Sequence, residues 1–177
     1  KNNKHFYIKS INLNKSSNQY ISMLLNDNIH GCSILLRSSI IKDNNLLFDT
    51  KLKHVQDYDF WLKIIKNYKF RYLNKFLLYS HVHEAQSSIV YFEQSMKEKK
   101  SFWGQVLSNI YGQNFKKIIV FKIIVSLSKR NYLDFYQLNN FNKNFLDKYI
   151  FKFAFFIGYC LNIIKISIKK TCKIIKV

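Results

Sequence analysis

The chain has 177 residues, 48% of them hydrophobic, with 29 Lys and Arg against 10 Asp and Glu. That much apolar material supports a folded core and excludes a disordered, solvating chain. The positive charge is nearly all lysine, with arginine only at Arg37, Arg71 and Arg130. Scarcity of the residue that best reads base edges and phosphates argues against nucleic acid and leaves an anionic membrane surface as the partner the charge suits.

The abundance of Lys, Asn, Ile, Tyr and Phe, with four Gly and no Pro, is also the signature of AT-rich coding sequence. Lys1 stands where Met would begin a chain, and no signal peptide is evident, so a fragment is expected. Cys32, Cys160 and Cys172 are too widely spaced for a zinc or redox motif and read as reduced, at least partly buried thiols in a cytosolic setting.

In chain order, residues 29–36 ("IHGCSILL") form a short apolar run that predicts a buried strand. Residues 37–44 predict a short helix or turn leading to "LLFDT". From Asp57, the positions Tyr58, Trp61, Leu62, Ile65 and Tyr68 fall at helical spacing and predict a helix of about three turns. The run "KFRYLNKFLLYSHVH" then alternates in the manner of one or two strands. Composition changes near residue 94, which predicts a first domain over 1–93 and a basic, amphipathic helical tail over 94–177. Within that tail the longest uncharged stretch, Phe153 to Ile164, falls short of the ~20 apolar residues that cross a bilayer. Two uses of the tail remain open: a helical subdomain with a solvated Lys face, or an interfacial helix on anionic lipid.

Two stretches carry candidate chemistry. In "HVQDYDFWLKII", Asp57 and Asp59 resemble a metal-binding pair, but on one helix they point about 200° apart at ~100° per residue and cannot share an ion. Asp57 fits a helix N-cap or a general base that accepts a hydroxyl proton. In "YSHVHEAQSS", His81 and His83 would share one face of a strand and could approach a metal or phosphate, or simply be surface histidines.

Taken in order, Gly31-Cys32-Ser33, Phe48-Asp49, Gln56-Asp57-Tyr58-Asp59-Phe60-Trp61 and Tyr79-Ser80-His81-Val82-His83 resemble the second half of the catalytic domain of family 2 glycosyltransferases. The resemblance covers about a third of the chain, Gly31 to Ser88. His81 stands where such enzymes carry Arg, and Leu46 where they carry a turn Gly. The resemblance implies an α/β fold, part of a GT-A domain, followed by a mainly helical region. It also implies inverting transfer from a nucleotide-sugar donor to a saccharide or lipid-linked acceptor in cell-surface polysaccharide synthesis, with Mg2+ or Mn2+ as cofactor.

By the same resemblance Asp57 is the catalytic base, Gln56 and Trp61 shape the acceptor site, and Asp59 braces the helix. His83, with His81, lies near the donor diphosphate, and His83 is a metal ligand. The nucleotide-binding half of such an enzyme would precede this region, so this chain alone is expected to be inactive. The expected location is cytoplasmic, peripheral on the inner face of the plasma membrane. The competing class is a non-enzymatic basic helical module that binds an anionic membrane or nucleic acid.

Overall fold

The computed structural model describes residues 12–26, 29–75, 77–79, 83–113, 115–135 and 145–174, with side chains of the last helix described from 146 to 168. The chain divides into two compact units, Lys1–Glu84 and Ala85–Val177.

The first unit is built on helices α1 (Gln19–Asn26), α2 (Ser38–Asp43) and α3 (Gln56–Ile65). α3 starts one residue before Asp57, with Val55 at its N-cap and Asp57 and Asp59 in its first turn, where the positive end of the helix dipole favours carboxylates. Asp59 pairs with Lys63 one turn on. The buried face of α3 comprises Phe60, Trp61, Leu62, Ile64 and Ile65, and it packs near Met23 and Leu24 of α1. That face is rotated from the one the sequence suggested: Tyr58 and Tyr68 are only half-buried, and the Tyr68 hydroxyl accepts from Asn44 Nδ2 at 2.8 Å.

The structure overturns the α/β expectation, and with it the partial GT-A domain: no β-strand occurs among the described residues. Gly31–Ser33 is a 3-10 turn closed by Ser33 N–H on the His30 carbonyl at 2.9 Å. The backbone is extended at His30, Ile34 and Arg37, but extended residues become a strand only when a neighbouring strand takes up their N–H and C=O groups. Leu35, in the predicted buried strand, is fully exposed. Cys32 is exposed as well, and Cys160 is half-buried.

The predicted strand after α3 shows the same physics more clearly. At Phe70 and Tyr72 the backbone bonds to side-chain amides instead of a ladder. Gln19 Nε2 donates to Phe70 O and Gln19 Oε1 accepts from Phe70 N, each at 2.7 Å. Asn14 does the same with Tyr72, at 2.9 Å in both directions. Two amides thus pair with alternate residues along one edge of the segment, as a partner strand would. Phe76 and Ser80 to Val82 lie outside the described residues, and Leu77 to Tyr79 are exposed and not in a strand. The expectation that His81 and His83 share a strand face falls on residues 80–82 and so lies outside the described residues.

In the second unit, α4 (Ser87–Val90) leads to α5 (Phe92–Gly112), α6 (Lys117–Lys129) and a long α7 (Phe145–Ile174). α5 runs through the compositional boundary at residue 94. The core gathers Trp103, Leu107 and Ile110 from α5, Val120, Ile123, Ile124 and Leu127 from α6, and Phe151 and Ala154 from α7. α6 and α7 make the dominant contact, and they approach closely at Gly158, where an added Cβ would lie 2.6 Å from both Ser128 Cβ and Val125 O. Buried Asp147 ties the start of α7 to its neighbours, accepting from Lys117 Nζ at 2.6 Å and from the Tyr111 hydroxyl at 3.0 Å.

Asparagine closes two of the helices. Asn45 (φ 48°) follows α2 and Asn131 (φ 61°) follows α6, both left-handed. Around Asn131, Tyr132 N–H donates to Leu127 O and Asn131 N–H to Ser128 O, each at 2.9 Å. Leu46 and Asn45 repeat the pattern on Ile41 and Lys42 at 3.0 and 3.3 Å. This is the double-bonded helix ending that glycine usually supplies, and asparagine's short polar side chain tolerates it. Asn45 thus provides the left-handed residue of this turn directly before Leu46.

Candidate functional site

The start of α3 forms one wall of a solvent-open hollow of about 480 Å3, lined by Gly31, Phe48, Gln56, Asp57 and Trp61. Three of these, Gln56, Asp57 and Trp61, are residues singled out in the sequence. Gln56 opens the helix, Asp57 follows it, and Trp61 lies one turn further on, since residues four apart stack on one helical face.

Asp57 is held from its own helix: the Tyr58 N–H donates to Asp57 Oδ1 at 2.8 Å. Its other oxygen lies toward the Gly31 turn, where a Cβ on Gly31 would come within 3.2 Å of Oδ2. Any larger residue at 31 would press on the carboxylate. Phe48 packs on Phe60 with ring centroids 4.3 Å apart and planes 18° from parallel, and it remains 51% exposed. One ring face is thus fixed by the core, while much of the side chain stays open.

Two polar atoms on these lining residues have no hydrogen-bond partner: Gln56 Oε1 and Trp61 Nε1, both buried. Trp61 as a whole is only 7% exposed. A buried donor or acceptor without a partner costs about 1–3 kcal/mol, so such atoms are rare and call for an explanation. Here a lone acceptor and a lone donor, both closed to solvent, belong to residues that line one open hollow together with Asp57 and an aromatic side chain. That arrangement suits a ligand that carries hydroxyl groups, which both donate and accept, on an apolar ring face.

The remaining predicted site residues stand apart. His83 is exposed and does not line the hollow, and His81 lies outside the described residues. Among the described residues no group of three His, Cys, Asp or Glu side chains is placed to hold a metal ion. A hard divalent cation takes about six oxygen ligands, so the described residues do not fit Mg2+ or Mn2+ by themselves. The sequence did not assign a site role to Gly31 or Phe48. Both stand in the motifs Gly31-Cys32-Ser33 and Phe48-Asp49 that carry the resemblance, and that was the signal available.

No family profile matches the chain, and no solved structure does. It is 31% identical over 121 residues to an uncharacterized glycosyltransferase of Rickettsia typhi, covering 65% of this chain and 37% of that protein. A counterpart in Rickettsia prowazekii is 30% identical over 121 residues, with the same coverage. An uncharacterized glycosyltransferase of Methanocaldococcus jannaschii is 31% identical over 106 residues, 54% of this chain and 34% of the relative. The chain is therefore related to proteins named as glycosyltransferases, and it spans little more than a third of their length.

Proposed function

We propose that the hollow at the start of α3 is the acceptor side of a family 2-like glycosyltransferase site, with Asp57 as the base. The observation that carries this reading is the pair of partnerless polar atoms, Trp61 Nε1 and Gln56 Oε1, on residues that line the same hollow as the Asp57 carboxylate. Once the two side chains turn toward the hollow, a sugar hydroxyl can accept from the first and donate to the second. Named relatives support glycosyl transfer as the general reaction.

In the proposed step, an acceptor hydroxyl lies against Asp57 and its oxygen attacks the anomeric carbon of a nucleotide-sugar. The new carbon–oxygen bond forms as the bond to the diphosphate breaks. The hydroxyl proton passes to Asp57, the nucleoside diphosphate leaves with the bonding electron pair, and the anomeric configuration inverts. The exposed part of Phe48 offers an apolar surface to a sugar ring. The acceptor in this reading is a saccharide or lipid-linked sugar of the cell surface. Mg2+ or Mn2+ at the donor diphosphate, with His83 and His81 near it, belongs to the same proposal, and no step above runs through the ion.

The test is acceptor kinetics in the full-length gene product. Trp61→Phe removes the lone donor and Gln56→Met the lone acceptor, each with modest change of volume. Each is expected to raise the acceptor KM about 2- to 10-fold, the worth of one net hydrogen bond, while the donor KM stays unchanged. Unchanged acceptor KM in both variants rejects the hollow as the acceptor site.

A further inference from the structure

The long helix α7 has one face occupied and the opposite face bare. Asp147, Phe151, Ala154 and Gly158 are buried. At ~100° per residue these four cluster within about 60° of one another. On the far side an arc of about 140°, from Leu146 to Ile168, carries no charged residue. Leu146, Tyr149, Phe153, Phe156, Ile164 and Ile168, all on that arc, are each more than half exposed. The strip is about 33 Å long at 1.5 Å per residue, larger than the apolar patches that soluble monomers usually leave open.

The placement of charge says what covers it. Lys148 and Lys152 lie about 100° to 140° from the centre of the strip, on one flank, and exposed Lys165 lies about 120° round the other way, near the azimuth of Asp147 but beyond the buried stretch of the helix. Lys152 Nζ also sits 5.0 Å from the Phe135 ring centroid. From residue 85 onward, sixteen Lys and Arg face four Asp and Glu, and Lys169, Lys170, Lys173 and Lys176 continue the series beyond Ile168 in sequence. Cations flanking an apolar strip can extend toward phosphate groups while the strip enters the acyl boundary.

By length and composition Leu146–Ile168 could cross a membrane. Its partner could not: α6 has 13 residues and carries exposed Lys117, Lys122 and Lys129. Spanning would pull those cations into hydrocarbon or strip α6 from the buried face of α7.

We infer that α7 lies in the plane of an anionic phospholipid surface, with the Leu146–Ile168 strip in the acyl boundary and α6 on its other side. The negatively charged cytoplasmic leaflet is such a surface. This stands independently of the glycosyl-transfer reading.

Flotation of the 177-residue chain with phosphatidylcholine vesicles, with and without phosphatidylserine, tests it. Binding is expected only with phosphatidylserine, and it should fall as salt shortens the reach of the charges. Phe153→Ser and Phe156→Ser, both at exposed positions, should each lower partitioning about tenfold. Lys148→Gln and Lys165→Gln should each lower it about fivefold. Gel filtration and circular dichroism verify that each variant remains folded, and fully exposed Leu35→Ser in the first unit serves as a control that should bind normally. Equal binding to neutral vesicles, no flotation, or resistance to alkaline carbonate as for a spanning helix would overturn the inference. So would a dimer that is lost in the Phe variants while lipid binding is absent, since a second copy would then cover the strip.

Discussion

Replacing Gly158 by alanine sets two effects of known size against each other. Alanine is favoured over glycine inside a helix by about 0.8–1.0 kcal/mol. Against that, the new Cβ would lie 2.6 Å from Ser128 Cβ, 2.6 Å from Val125 O and 3.0 Å from Lys129 N. Two of these are backbone atoms of α6 and cannot swing away, so the helices must part by roughly 0.8–1 Å to restore ordinary contact. Overpacking of this kind costs about 1–3 kcal/mol. Parting the helices also removes a quarter to a half of the dispersion attraction of pairs across the opened gap, around Ala154, Ile124 and Leu127. The clash therefore outweighs the propensity gain, by about 1–2 kcal/mol. At 4–8 °C per kcal/mol for a unit of this size, the midpoint should fall about 5–15 °C.

The chain's two tryptophans make the assay local, because Trp61 lies in the first unit and Trp103 in the second. In a Trp61→Phe background, Trp103 fluorescence follows unfolding of the α5–α7 unit alone. Gly112 is the internal control: an added Cβ there meets nothing within 4 Å, so Gly112→Ala should stabilise by about 0.5–1 kcal/mol. If Gly158→Ala raises the midpoint as Gly112→Ala does, the close α6–α7 crossing is refuted.

Asn131→Ala should destabilise the same unit by about 1 kcal/mol, because alanine pays the full cost of the left-handed conformation that asparagine tolerates; the Trp103 melting curve reports it. Lys117 and then Tyr111, by hydrogen bonding, hold the Asp147 carboxyl below its ordinary value despite the opposing effect of burial. Its contribution is thus present above the unfolded value near 4 and lost as pH falls through the lowered folded value. Asp147 in turn raises Lys117, mainly by the same hydrogen bond, and that contribution is present below about 10.5 and lost as pH rises through the raised folded value. Urea midpoints across pH should decline at both ends, and Asp147→Asn should flatten both limbs; an unchanged profile contradicts the pairing. Gly31→Ala should leave stability within about 0.5 kcal/mol, since the atom it crowds ends a side chain, but should lower turnover of the full-length gene product about tenfold by shifting the Asp57 carboxylate.

What was legible in the sequence was local. The α3 helix, the divergence of Asp57 from Asp59 and the helical character of the tail all follow from spacing and helical geometry. The fold class was not legible, because strand formation depends on a partner that the segment itself does not contain. "KFRYLNKFLLY" alternates as a strand should, and residues 70 and 72 do present their backbone edge, but side-chain amides of Asn14 and Gln19, more than fifty residues upstream, take it up. The rotated core face of α3 has a related cause. Tyr58 and Tyr68 fit the helical period, yet Phe60 and Ile64 are drawn inward by a core that includes Met23 and Leu24 of α1. At the hollow, the sequence indicated Asp57, Gln56 and Trp61, whereas their partnerless atoms and the closeness of Gly31 emerge only from the folded arrangement.

The central claim is that Asp57 takes the proton of an acceptor hydroxyl. The most direct measurement is single-turnover sugar transfer by the full-length gene product carrying Asp57→Asn, with Asp59→Asn, on the Lys63 side of the helix, as its partner control. Asp57→Asn is expected to slow transfer about 10²- to 10⁴-fold with donor binding and melting temperature nearly unchanged, while Asp59→Asn stays within a few-fold of the parent. Near-normal turnover in Asp57→Asn, or an equal loss in both variants, would contradict it.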